Sequence, residues 1–142
     1  MPVADQAPAL RILVVEDEAP NRALLRAVLG RARRPAIQEA TLLEATTLAE
    51  ARDHLAGQPI DVVLLDVRLP DGNGLDLARE IRTLPTARRP RVLVLSASVL
   101  PMDRTAAVDA GADAFLPKPF DTAELLDVIA SLADDREGGG PE

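Results

Sequence analysis

Apolar residues fall into two kinds of pattern along this chain. Three short runs are continuous: RILVV at 11–15, DVVLL at 61–65 and RVLVL at 91–95. Runs of this length, apolar at nearly every position, read as strands buried on both faces, the habit of parallel sheets. Two weaker runs, ATLLEA at 40–45 and DAFLP at 113–117, read as strands too. Between them the spacing changes to the helical period. Leu24, Leu25, Val28 and Leu29 share one side of residues 19–32, and Leu48, Ala51 and Leu55 one side of 47–56. Leu75, Leu77, Ala78 and Ile81 do the same over 74–84. The stretch 102–111 is short and Ala-rich. Residues 121–133 open with a capping signature, Asp121 followed by Glu124.

The order is strand then helix, five times. That alternation implies a parallel sheet with right-handed crossovers and helices on both faces. The expected fold is α/β, a flavodoxin-like doubly wound (βα)5 domain whose five strands run 2-1-3-4-5. The domain is expected over 10–133. Residues 1–9 and the acidic, Gly-rich 134–142 have the composition of loose ends. The link RRPAIQEA leaves the start of the second strand open by several residues.

Length, charge and composition narrow the classes. A chain of 142 residues holds one domain with a full core. No apolar run approaches the roughly 20 residues that span a bilayer. The start MPVADQAPAL lacks the basic and apolar regions of a signal peptide. With no Cys, disulfides and thiolate metal sites are excluded. These features favour the cytoplasm. A net charge of −7 and the absence of a basic face argue against direct nucleic-acid binding. The RARR cluster at 31–34 is expected as the solvated last turn of the first helix. Lysine occurs once, at Lys118, in a chain with 15 arginines.

In a doubly wound sheet, ligands bind outside the carboxyl ends of the strands. Strand one ends in Glu16, Asp17 and Glu18, strand three in Asp66, strand four in Ser96 and Ala97, and strand five in Lys118. Each has a plain structural reading: an acidic helix start, a turn-forming Asp, an unremarked Ser, a loop Lys between two prolines. Their joint placement at one sheet edge is what points to chemistry. Crowded carboxylates repel unless a cation lies between them, and Mg²⁺ takes one or two carboxylates plus waters and a phosphoryl oxygen. An Asp there can attack phosphorus, with a lysine and a hydroxyl compensating the new charge. His54, with no other ligand type around it, is expected to be structural, and Phe120 to anchor the core.

These residues resemble the receiver domain of two-component response regulators. ILVVEDE is similar to the family's first strand with its acidic pair, and LLDVRLPDGNGL to its phosphoacceptor strand and loop. VLVLSAS and GADAFLPKPF match its Ser/Thr strand and its Lys-Pro motif. The resemblance covers roughly residues 10 to 133. It implies that Asp66 accepts the phosphoryl group, and that Asp17, Asp66 and the Arg68 carbonyl bind Mg²⁺ directly, with Glu16 acting through water. It further implies that Ser96 bonds the phosphoryl group, Ala97 leaves it room, and Lys118 pairs with it. The Lys118–Pro119 bond is expected to be cis. Ser96 and Phe115 are expected to form the switch, acting on the surface of the fourth helix, fifth strand and fifth helix.

The implied function is a phosphoacceptor switch rather than a turnover enzyme, promoting only its own phosphorylation and dephosphorylation. Its implied partners are a sensor histidine kinase or histidine phosphotransfer protein and a downstream protein target. No membrane partner is expected, and a homodimer is left open. With no effector segment after 133, a stand-alone receiver similar to those of hybrid kinases is expected. Three positions depart from the family pattern. Phe115 lacks the hydroxyl of the more usual Tyr, Arg68 places a cation near the phosphoryl site, and Asn73 stands where Asp commonly precedes the Gly. The competing readings are a phosphorylation-independent receiver-like interaction module, a haloacid-dehalogenase-type phosphatase and a flavin module. Arg68 in place of a second Asp disfavours the phosphatase, and the Glu16–Glu18 acids disfavour flavin phosphate.

Overall fold

The computed structural model describes residues 10–97 and 100–138. Strands β1 (Arg11–Val15), β2 (Thr41–Ala45), β3 (Val62–Asp66), β6 (Arg91–Ser96) and β7 (Ala114–Pro117) form one sheet in the order β2-β1-β3-β6-β7. All four neighbouring pairs are parallel. This is the expected doubly wound order. Helices α1 (Ala19–Gly30) and α6 (Thr122–Gly138) cover one face. Helices α3 (Leu48–Gly57), α4 (Gly74–Arg82) and α5 (Pro101–Asp109) cover the other.

Alternation along each strand divides the core in two. Ile12, Val14, Val62, Leu64, Leu93 and Leu95 point toward Leu25, Leu29, Leu125 and Ile129. Leu13, Val15, Val63, Leu65, Val92 and Val94 point toward Leu48, Leu77, Ala78, Ile81 and Ala107. Burying each such Leu, Ile or Val stabilises the fold by about 1.5–3 kcal/mol. This two-sided burial explains why these strands read as unbroken apolar runs. At the pole where the strands begin, Asp61 Oδ2 accepts the Arg11 N–H at 2.8 Å and Asp113 Oδ2 accepts the Val92 N–H at 2.7 Å. The acids that open DVVLL and DAFLP therefore serve donors at the starts of neighbouring strands.

Several boundaries differ from the sequence reading. Helix α1 stops at Gly30, so RARR is not its last turn; Ala32 is buried, and Arg34 precedes a four-residue helix, α2 (Pro35–Gln38). Arg34 pairs with Asp134 on α6, which runs on to Gly138, beyond the expected end at 133. The link to the second strand is thus a helix, started by Pro35 at a position where a missing N–H is harmless. After Asp66 the chain forms a small antiparallel hairpin, β4 (Arg68–Leu69) with β5 (Gly72–Asn73). Of the expected loose ends, 1–9 and 134–142, residues 134–138 belong to α6, while 1–9 and 139–142, with Ser98 of the VLVLSAS stretch and Val99, lie outside the described residues.

Candidate functional site at the carboxyl edge of the sheet

Parallel pairing brings four strand ends to one edge. Asp66 closes β3 opposite Leu95, and Ser96 closes β6 opposite Pro117, one residue before Lys118. The Lys118 N–H donates to the Ser96 carbonyl at 2.8 Å, and the Lys118–Pro119 peptide is cis, as expected. One carboxylate oxygen from each of Glu16, Asp17 and Asp66 can be chosen so that all lie within 4.8 Å of one another. Glu16 is 2% exposed, whereas Asp17 opens to solvent.

Lys118 joins this cluster. Its Nζ lies 2.9 Å from Glu16 Oε1 and 3.5 Å from Asp66 Oδ1. Burial opposes the Lys118 ammonium, yet the hydrogen bond to Glu16 and the charge of Asp66 outweigh it and hold its pKa above the ordinary lysine value. The pKa of Asp66 is raised as well, which for a carboxyl favours the neutral form. Burial, with a smaller contribution from the Glu16 charge, lifts its carboxyl above the usual range, although Lys118 and the Arg68 N–H pull it down. A carboxylate in that position gains from any further cation.

The loop after Asp66 is fixed at several points. Arg68 N–H donates to Asp66 Oδ1 at 3.4 Å, and Arg68 pairs with Asn73 in the hairpin. Asn73 caps α4, its Oδ1 accepting the Leu75 N–H at 2.7 Å; Asn serves there as well as Asp. A Cβ on Gly74 would stand 2.1 Å from the Asp66 carbonyl oxygen, so only glycine fits. Asp71 reaches across to α3, accepting the Leu48 N–H at 2.8 Å and the Ala49 N–H at 3.1 Å. The Arg68 side chain is exposed and has no carboxylate within ion-pair distance among the described residues.

Ser96 is buried and Ala97 exposed at the same edge. Phe115 is half-buried, with the Arg104 guanidinium of α5 5.1 Å from its ring centroid, a cation–π contact. His54 bonds the Glu44 backbone carbonyl at 3.1 Å and belongs to no cluster of metal-ligand type among the described residues, and Phe120 packs against the core. Asn21, Gly74 and Asp71 were not singled out from the sequence as supports of this edge. The Asn-Gly pair of DGNG carries a turn signal for Gly74; Asp71 acts through contacts with the distant α3, and Asn21 through contacts with Glu16 and Glu18 just before it.

The chain also matches the family model described as response regulator receiver domain, over residues 12–130. It belongs to the response regulator receiver family. Among curated relatives, the receiver is 35% identical over 127 residues to the sensory/regulatory protein RpfC of Xanthomonas campestris, covering 88% of this chain and 17% of that protein. It is 39% identical over 115 residues to the KDP operon transcriptional regulatory protein KdpE of Escherichia coli, covering 80% of this chain and 47% of KdpE. The receiver spans about half or less of the length of these relatives. Among solved structures, the receiver domain of sensor histidine kinase PA1611 from Pseudomonas aeruginosa, with magnesium coordinated in its active-site cleft, superimposes with a TM-score of 0.75 at 29% identity, covering 89% of this chain and 98% of that one. A CheY-like receiver from Methanospirillum hungatei shares the fold at a TM-score of 0.81 and 22% identity, covering 94% and 100%. Receivers are signalling switches, and membership carries the phosphoacceptor role as a class. No helix among the described residues is long and apolar enough to cross a membrane.

The donor set suits a hard divalent cation. The candidate ligands are all oxygens, and one of the carboxylates is open to water.

Proposed function

We propose that this receiver accepts a phosphoryl group on Asp66 in a Mg²⁺-dependent reaction and signals through protein contacts. The observation that carries this reading is the convergence of Glu16, Asp17 and Asp66 within 4.8 Å, with Lys118 beside two of them. An Asp66 oxygen attacks the phosphorus of the donor, the bond from phosphorus to the leaving group breaks, and an acyl phosphate forms. Asp17, Asp66 and the Arg68 carbonyl would hold Mg²⁺, with Glu16 acting through water; bound there, the ion neutralises charge on the phosphoryl oxygens. Lys118 then turns from Glu16 toward the phosphoryl group, and the Ser96 hydroxyl donates to it.

The donor is a sensor histidine kinase or a histidine phosphotransfer protein. Output passes through Ser96 and Phe115 to the α5–β7–α6 surface, where Leu100, Met102 and Val108 are more than half exposed. Beryllofluoride, which mimics an aspartyl phosphate, tests the reading by fluorine NMR. Wild-type protein should give a bound signal that needs Mg²⁺ and disappears in Asp66→Asn. No bound signal with Mg²⁺ present would favour a phosphorylation-independent interaction module.

A further inference from the structure

Glu16 is the most buried acid of the cleft, and both of its oxygens are engaged. Oε1 faces Lys118 Nζ at 2.9 Å. Oε2 accepts the Glu18 N–H at 3.2 Å and Asn21 Nδ2 at 3.3 Å. The same Asn21 amide nitrogen lies 3.2 Å from Glu18 Oε1. Because both acceptors are carboxylates, the amide must present its NH2 to them, and its two protons serve one acid each. Asn21 is therefore a neutral donor placed between two acids at the start of α1.

The next residue, Arg22, is a cation at the same mouth, but it is turned away from the carboxylates. Its Nη1 donates to the Glu16 backbone carbonyl at 3.0 Å, and its Nε lies 3.3 Å from Glu44 Oε1 on β2. Glu44 is held in turn by Arg26 at 2.8 and 2.6 Å. Lys118 thus stands as the positive side chain directed at Glu16 and Asp66, while the first turn of α1 supplies a donor without charge. A lysine or arginine at position 21 could hold Glu16 equally well. It would also cancel the negative potential that draws in a divalent ion.

We infer that Asn21 is a positioning residue for the cation site: it fixes the Glu16 carboxylate and separates it from Glu18 while adding no positive charge. The inference rests on the Mg²⁺-dependent reading above. A merely structural role would act on the stability of α1 and leave metal affinity unchanged once the protein is folded.

The test is calorimetric titration of Mg²⁺ into the full chain as wild type, Asn21→Ala and Asn21→Lys, with the Tm of each metal-free protein measured alongside. Asn21→Ala should bind Mg²⁺ about tenfold more weakly, the usual cost of losing a partner that orients a metal-site carboxylate. Its metal-free Tm should stay close to that of wild type. Asn21→Lys should bind more weakly still. Wild-type affinity in Asn21→Ala, an Asn21→Lys variant that binds as well as Asn21→Ala, or a metal-free Tm that falls in step with affinity would each overturn the inference. If wild-type protein takes no Mg²⁺ at all, the metal-dependent reading itself fails and the inference falls with it.

Discussion

Lys118 Nζ stands closer to the buried Glu16, at 2.9 Å, than to the proposed phosphoacceptor Asp66, at 3.5 Å. Before phosphorylation the lysine is thus chiefly the counter-ion of Glu16, which is 2% exposed and would otherwise be a lone buried charge. Lys118→Met should therefore destabilise the domain by about 2–4 kcal/mol, read by urea unfolding. Adding Glu16→Gln to that variant should recover more than half of the loss, because the orphaned charge is gone. If the two substitutions simply add, the pair is not coupled in this way.

Asp66 carries the opposite lesson. Burial, aided by Glu16, raises its carboxyl pKa above the ordinary value. A carboxylate whose folded pKa is raised favours folding when protonated, and that contribution disappears as pH rises through the folded pKa. At pH 7 the ionised group is a net cost. Asp66→Asn should accordingly raise the Tm of the metal-free protein by about 2–4 °C. Mg²⁺ should narrow the gap by stabilising wild type more than the variant. A lower Tm for Asp66→Asn in EDTA would contradict this account.

Gly74 is where the loop after Asp66 meets the strand behind it. A methyl group there would stand 2.1 Å from the Asp66 carbonyl oxygen and 3.2 Å from Leu65 Cδ1. Backbone cannot yield as a flexible side chain does, so Gly74→Ala should cost about 3 kcal/mol and shift the Asp66 backbone amide resonance. An unchanged denaturation midpoint would show that the loop relaxes freely.

Asp71 offers a pH test away from the cleft. The backbone N–H of Leu48, with that of Ala49, holds its carboxyl below the usual range. A depressed pKa adds stability above the unfolded value near 4, which is lost as pH falls through the folded pKa. The Tm difference between wild type and Asp71→Ala should therefore be full at neutral pH and shrink on acidification below about pH 4. A difference constant with pH would mean that ionisation of Asp71 plays no part in capping α3.

The sheet order and the edge where chemistry gathers were legible because the strands are buried on both faces. Continuous apolar runs announced them, and each ended in a polar residue that a doubly wound fold must bring to one side. Short elements and distant contacts were not legible. PAIQ forms a helix too short for periodicity to reveal, and the Arg68–Asn73 hairpin depends on two pairs of residues. RARR looked like the end of α1 because cations suit a helix terminus, yet Arg34 belongs to the approach to α6 through Asp134. Asp71 and Asn21 have ordinary local readings, a turn and a helix start. Only folding shows which carboxylate or amide each one meets.

The most direct measurement of the central claim is intact mass after incubation with Mg²⁺ and a small phosphodonor such as acetyl phosphate, on wild type and Asp66→Asn in parallel. One added phosphoryl group is expected on wild type only, absent when Mg²⁺ is chelated and lost under mild base. Equal labelling of Asp66→Asn would contradict that claim by placing the acceptor elsewhere.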